Sequence, residues 1–257
     1  MDKWVCRRRG QQQTGDSSCR LFFFPWGGGG TGLYNSWAKF FPESIEVNVV
    51  CLPGREFRFK ETPYTNLDVL IADLCKDFLP SLQEKPFAFF GHSLGAIISF
   101  ELACYLKTHH NIEPACLFLS GATGPYSKVR QEMVSDKPVD QLTEEEFLQK
   151  LEKLGGTPKD VLAQPNLLKL FIPCIKADLM MLQHYGKEAP AVPIISCPVN
   201  FFEGAEDTSR DHDIESWKTV SSGPFNIQYL PGGHFYLQQR DNAGKMIKSM
   251  AEALTPS

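Results

Sequence analysis

An α/β fold, with a mostly parallel central sheet, helices on both faces and a helical lid insertion, is predicted by three features of the sequence. Short apolar runs alternate with longer amphipathic stretches, the pattern of strands joined through helical crossovers. That alternation breaks between residues 121 and 193, where the pattern is nearly all helical. A Gly-x-Ser-x-Gly pentapeptide, Gly91 to Gly95, sits where an apolar run meets a helix-like stretch. The 257 residues, 42% of them hydrophobic, suffice for one full core. The expected organisation is a poorly structured segment over 1–20 and a single domain over 21–257, with the insertion at about 125–192.

Strands are expected at 21–24, 47–52, 87–90, 116–120, 199–203 and 227–230. Leu67, Leu70, Ile71, Leu74, Phe78 and Leu82 recur at helical spacing between the second and third of these. Further helices are expected at 94–107 and, closing the chain, 244–254. In the insertion, Thr143 before Glu144, Glu145 and Glu146 reads as an N-cap with acids in the first turn. Gly155 and Gly156 would end that helix, and Thr157 and Pro158 would open the next. An insertion between the fourth and fifth strands lies near the carboxyl edge of the sheet, where open α/β folds place ligands, so it is a lid candidate. The alternative is a helical subdomain that only buries core.

The formal charge of −4 supplies no basic field for nucleic acid or anionic lipid. Arg7, Arg8 and Arg9 are not followed by an apolar segment of signal-peptide length, which disfavours secretion. No apolar run approaches the roughly 20 residues of a membrane span, so a soluble protein is expected. The eight cysteines include no C-x-x-C pair and read as reduced thiols in the cytosol. No metal-ligand cluster is legible, and neither a metal nor an organic cofactor is expected.

Ser93 would sit at the tip of a strand-to-helix turn, where a Cβ at position 91 or 95 would collide with the adjoining strand or helix. The turn pushes the hydroxyl out at a helix N-terminus and offers the Leu94 backbone N–H to a developing oxyanion. A serine nucleophile needs a base held by a third group. Of six histidines, His234 alone follows a late strand directly, through Pro231, Gly232 and Gly233. His92 lies inside the turn and is expected to point away, His109 and His110 follow a helix in a polar stretch, and His184 and His212 lie among polar residues. The acid should fall between serine and base in the chain. Asp207 is the candidate, with Glu206, Asp211 and Asp213 as competitors. A second oxyanion donor is expected from the loop "FFFPWGGGGTG", with Gly27 first and Trp26 as its neighbour. No Gly-Lys-Ser/Thr pattern or dinucleotide fingerprint follows those glycines, which excludes a phosphate cradle.

The blocks "FFFPWGGGG", "CLPGREFRFKETPY", "PFAFFGHSLGAIISFELACYL", "GGTPKDVL", "FFEGAEDTS" and "LPGGHFYLQ", in this order, resemble the stand-alone type II thioesterases, nearest to those serving vertebrate fatty acid synthase. The resemblance runs from about residue 21 to the C-terminus. It implies a cytoplasmic α/β-hydrolase fold that releases fatty acid, of medium chain length, from acyl carrier protein. It also implies fatty acid synthase as partner through the carrier domain, a monomer, triad roles for Ser93, Asp207 and His234, and oxyanion roles for the amides of Leu94 and Gly27. Two alternatives stand beside it: a lipase or carboxylesterase acting on oxygen esters, and an inactive hydrolase fold that only binds a synthase.

Overall fold

The computed structural model describes residues 1, 3–6, 17–134, 136–154, 165–208 and 212–255. Six strands run parallel: β2 (Cys19–Phe24), β3 (Ile45–Val50), β4 (Phe87–His92), β5 (Cys116–Ser120), β6 (Val199–Gly204) and β7 (Phe225–Leu230). A two-residue strand, β1 (Val5–Cys6), pairs antiparallel with β3 at the sheet edge. The order across the sheet is β1-β3-β2-β4-β5-β6-β7. Every strand expected from sequence is present, and β2, β3 and β7 begin two residues earlier than expected. The extra residues include polar side chains paired laterally, which hides them from a hydrophobic pattern. Arg20 Nε lies 3.0 Å from Glu46 of the neighbouring strand, and Asn226 donates to Asn200 at 3.2 Å.

Alternate residues of β2 feed two cores. Phe22 and Phe24 pack with α2 (Leu67–Leu82) and α3 (Leu94–His110), whereas Leu21 and Phe23 pack with α1 (Gly32–Trp37) and the C-terminal helix α8 (Arg240–Leu254). The six apolar residues expected along α2 are all buried, and Asn66 caps its start by accepting the Val69 N–H at 3.1 Å. After β2 the chain adds β3 on one side and then returns to add β4 on the other. The crevice at the carboxyl ends of β2 and β4 is therefore the topological switch point, where open sheets leave room for a ligand.

Between β5 and β6 stand α4 (Lys128–Val134), α5 (Glu144–Leu154) and α6 (Pro165–Gln183); the short α7 (Ile214–Trp217) follows β6. Thr143 caps α5 reciprocally with Glu146: the Glu146 N–H donates to Thr143 Oγ1 at 3.2 Å and the Thr143 N–H to Glu146 Oε2 at 2.8 Å. The turn expected at Gly155, Gly156, Thr157 and Pro158 lies outside the described residues. Phe147 and Leu151 join Cys174 and Ile175 in a small core of their own, while Leu170 and Phe171 on α6 stay exposed.

The expectation of a poorly structured 1–20 segment does not hold for residues 3–6 or for Cys19 and Arg20, which are part of β2. Trp4 is fully buried, donates from Nε1 to Asp77 at 2.6 Å, and lies under the Arg58 guanidinium at 4.3 Å. One large aromatic ring is enough to fasten a short segment whose flanking residues are polar. Trp4→Ala should lower unfolding stability by about 3–5 kcal/mol, read by chemical denaturation. An unchanged midpoint would mean that the segment carries no part of the core.

Candidate active site

The site begins with backbone crowding. Between β4 and α3 the chain reverses so tightly that a Cβ on Gly91 would overlap the Gly95 carbonyl, and one on Gly95 would overlap the carbonyl of Phe24. Ser93, at the apex, takes φ 54° and ψ −114°, a conformation costing a non-glycine residue about 1–3 kcal/mol. The Ser93 N–H donates to the Ser120 carbonyl at 2.8 Å, and the Ser93 carbonyl accepts from Ala96 at 3.1 Å. These bonds hold the strained turn to β5 and to α3. Leu94 opens α3, so its N–H has no acceptor within the helix.

The pairing of β6 with β7 brings the next two residues together. Past the strand ends, Ala205 N–H donates to Leu230 O at 2.8 Å and Glu206 N–H to Gly232 O at 3.1 Å, stitching one loop to the other. Gly232 adopts φ 111°, and the turn it makes returns His234 over the sheet edge. Asp207 Oδ2 then lies 2.7 Å from His234 Nδ1, with the two side chains 1% and 11% exposed. Among the described carboxylates it is Asp207, not Glu206 or Asp213, that forms this contact; Asp211 lies outside the described residues. The contact leaves Nε2 as the nitrogen able to take a proton. Among the described residues Ser93 Oγ has no hydrogen-bond partner, and such contacts commonly tighten only around substrate.

The His92 ring, expected to point away from the nucleophile's side, lies 4.8 Å from the His234 ring, centroid to centroid, and forms a wall beside it. The reason is the strand register: His92 is paired with Ser120, whose hydroxyl holds His92 Nδ1 at 2.8 Å and contacts the Tyr236 hydroxyl at 2.6 Å. Burial pushes the His92 pKa well below the usual histidine value, and the neighbouring His234 and His212 push the same way. The wall is therefore uncharged.

The glycine loop after β2 is anchored by a buried ion pair. Arg55 reaches Asp178 of α6 through two bonds of 2.8 Å, with the side chains 3% and 1% exposed. Burial opposes the Arg55 charge, and the adjacent Asp178 carboxylate outweighs it, raising the guanidinium above its ordinary range. Asp178 also accepts the Gly28 N–H at 2.7 Å, and Arg55 donates to the Gly29 carbonyl at 3.1 Å. Gly28 has φ 76°, and a Cβ there would meet Ile175 at 2.7 Å. At Gly27 a Cβ would come no closer than 3.6 Å to Asp178, so any role of that residue rests on its amide. Arg55 belongs to the block "CLPGREFRFKETPY", a legible signal without a legible partner. Asp178 carried no local signal, because its partners are 123 and 150 residues away.

His212, also passed over as a polar-loop residue, is 5% exposed and lies between two carboxylates. Its Nδ1 is 2.9 Å from both Glu203 oxygens, and its Nε2 is 3.7 Å from Asp207 Oδ2. Asp207, His212 and His234 thereby bring three potential ligand atoms within 4.8 Å of one another, a cluster that spacing along the chain did not reveal.

The thioesterase domain family matches residues 19–254. The S-acyl fatty acid synthase thioesterase, medium chain, of Rattus norvegicus is 38% identical over 243 residues, covering 94% of this chain and 90% of the rat protein. The gramicidin S biosynthesis protein GrsT of Aneurinibacillus migulanus is 35% identical over 238 residues, 91% of this chain and 88% of its own. Among solved structures, the RedJ thioesterase from the prodiginine biosynthetic pathway of Streptomyces coelicolor superposes with a TM-score of 0.81 at 26% identity, over 93% of this chain and 92% of its own. The chain belongs to the thioesterase domain family of hydrolases, on an α/β-hydrolase-like fold.

Proposed function

We propose that this chain hydrolyses fatty acyl thioesters carried on the acyl carrier protein of fatty acid synthase, through an acyl-serine intermediate. The observation that carries this reading is the 2.7 Å contact between His234 and Asp207, at the same sheet edge as the strained Ser93 turn. His234 Nε2 takes the Ser93 proton as Oγ attacks the thioester carbonyl. The oxyanion is met by the amides of Leu94 and Gly27. The C–S bond then breaks, His234 returns the proton to the thiolate, and a water activated by the same imidazole releases the fatty acid. Asp207 orients the ring and stabilises its charged form.

The helices α4, α5 and α6 serve as the lid over this edge, with α6 tied to the glycine loop through Asp178. A cavity of about 430 Å³ among them has a mixed wall, with Val129, Met133, Leu179 and Leu182 beside Asp136, Glu146, Lys150 and Lys153, and its apolar part is the surface we assign to a hydrocarbon chain. Each methylene withdrawn from water there contributes roughly 0.8 kcal/mol. We further assign a medium-chain substrate and a fatty acid synthase partner, a reading supported by the name of the rat relative. No described helix is long and apolar enough to cross a membrane; we assign the protein to the cytoplasm, acting as a monomer.

Ser93→Ala should lower turnover on an acyl carrier protein thioester by about 10⁶, and Asp207→Asn by roughly 10⁴ through the wrong ring tautomer. Retention of more than a hundredth of wild-type turnover by Ser93→Ala would remove the serine from the mechanism. A matched oxygen ester should be cleaved far more slowly than the thioester; the opposite preference would make the protein an esterase. Asp178→Asn leaves Arg55 buried without its counter-charge, which should cost about 3–5 kcal/mol of stability. With the glycine loop released, kcat should fall by up to about 10² while KM changes little. Wild-type kcat in a destabilised Asp178→Asn protein would separate the ion pair from catalysis.

A further inference from the structure

His212 is a buried imidazole that the hydrolytic mechanism does not use. His212 Nδ1 lies 2.9 Å from both Glu203 oxygens, and in the tautomer that donates from Nδ1 the lone pair is on Nε2. That nitrogen is buried without a hydrogen-bond partner. It faces Asp207 Oδ2 at 3.7 Å, beyond hydrogen-bond reach. Two ligands of one tetrahedral zinc ion sit about 3.4 Å apart, given metal–ligand bonds of about 2.1 Å. His234 Nδ1 lies against the same Asp207 oxygen at 2.7 Å, and one donor atom from each residue falls within 4.8 Å of the others.

We propose that Asp207, His212 and His234 form a zinc site whose occupation switches the hydrolase off. The inference rests on the triad reading above, because its two shared residues are the acid and the base. Two imidazoles and one carboxylate favour Zn²⁺ over Mg²⁺ or Ca²⁺, which prefer oxygen alone. Glu203 supplies the carboxylate that ligating histidines characteristically hold on their second nitrogen, fixing ring and tautomer. An open cleft of about 460 Å³ beside His212, lined by Glu203, Asp207, Asp213 and Glu215, gives a cation an acidic approach. On binding, His212 Nε2, one Asp207 oxygen and His234 Nδ1 donate electron pairs to the metal, and water completes the tetrahedron. The His234 ring proton moves from Nδ1 to Nε2, where it blocks acceptance of the Ser93 proton. No bond is oxidised or reduced, and chelation restores the free triad.

The test uses the full chain, stripped of metal and titrated with ZnCl₂ alone, by calorimetry and in a thioester hydrolysis assay. One equivalent of Zn²⁺ should bind and inhibit, EDTA should reverse it, and Mg²⁺ or Ca²⁺ should have no effect. His212→Asn should weaken both zinc binding and inhibition at least tenfold, and Glu203→Gln about tenfold. Each variant is compared with its own zinc-free rate. Cobalt(II) on the wild-type protein should give a nitrogen- and oxygen-ligated spectrum without a thiolate charge-transfer band, which needs no variant to fold. Equal zinc sensitivity of His212→Asn and wild type, a thiolate band, or binding without inhibition would overturn the proposal. An inactive wild type in EDTA would instead count against the thioesterase mechanism, while the calorimetric result would still decide the metal site.

Discussion

The molecule is organised around the contact between three backbones at the switch point: the end of β2, the last turn of β4 and the first turn of α3. Gly91 and Gly95 let them meet with no side chain between, and Ser93 takes a positive-φ conformation at the apex. A strain of about 1–3 kcal/mol at one residue persists only where the surroundings over-determine it. Here they are buried strands covered on both faces by helices. The same closeness sets the start of the glycine loop after β2 beside the N-terminus of α3, where Gly95 lies against the carbonyls of Phe24 and Pro25.

A second constraint works across the sheet. The β6 and β7 strands are parallel neighbours in register, and the segments after them are laced together by main-chain bonds, so the fold itself brings Asp207 to His234. Around that pair the protein builds asymmetrically. On one side His92 is uncharged, held by Ser120 and Tyr236; on the other His212 is held by Glu203. His234 thus stands between a neutral wall and an anionic cleft.

What the sequence discloses follows the range of the interaction. The strand-turn-helix at Ser93, the strand preceding His234 and the helical repeat of α2 are local patterns, and each is legible. Asp207 is legible as a candidate because chain order places an acid between serine and base, but only the stitched loops separate it from Glu206 and Asp213. Features built from distant residues are not legible. Trp4 depends on Asp77 and Arg58, and Arg55 on Asp178; His212 depends on Glu203, nine residues earlier in β6, a nearer contact that no periodic pattern marks. The contacts of His92 are likewise out of view in the sequence, because they come from its partner Ser120 on β5 and from His234.

Family membership sets the fold and the class of bond broken, while relatives named for fatty acid synthesis and for gramicidin S biosynthesis differ in the pathways they serve. The central claim is that Ser93, His234 and Asp207 act as one unit on an acyl group. It is tested most directly by rapid-quench mass spectrometry of the protein mixed with a fatty acyl carrier protein thioester. The account predicts an acyl adduct on the peptide bearing Ser93, formed within the first turnover and absent from His234→Ala. Acylation at another residue, or full turnover with no adduct on Ser93, would contradict it.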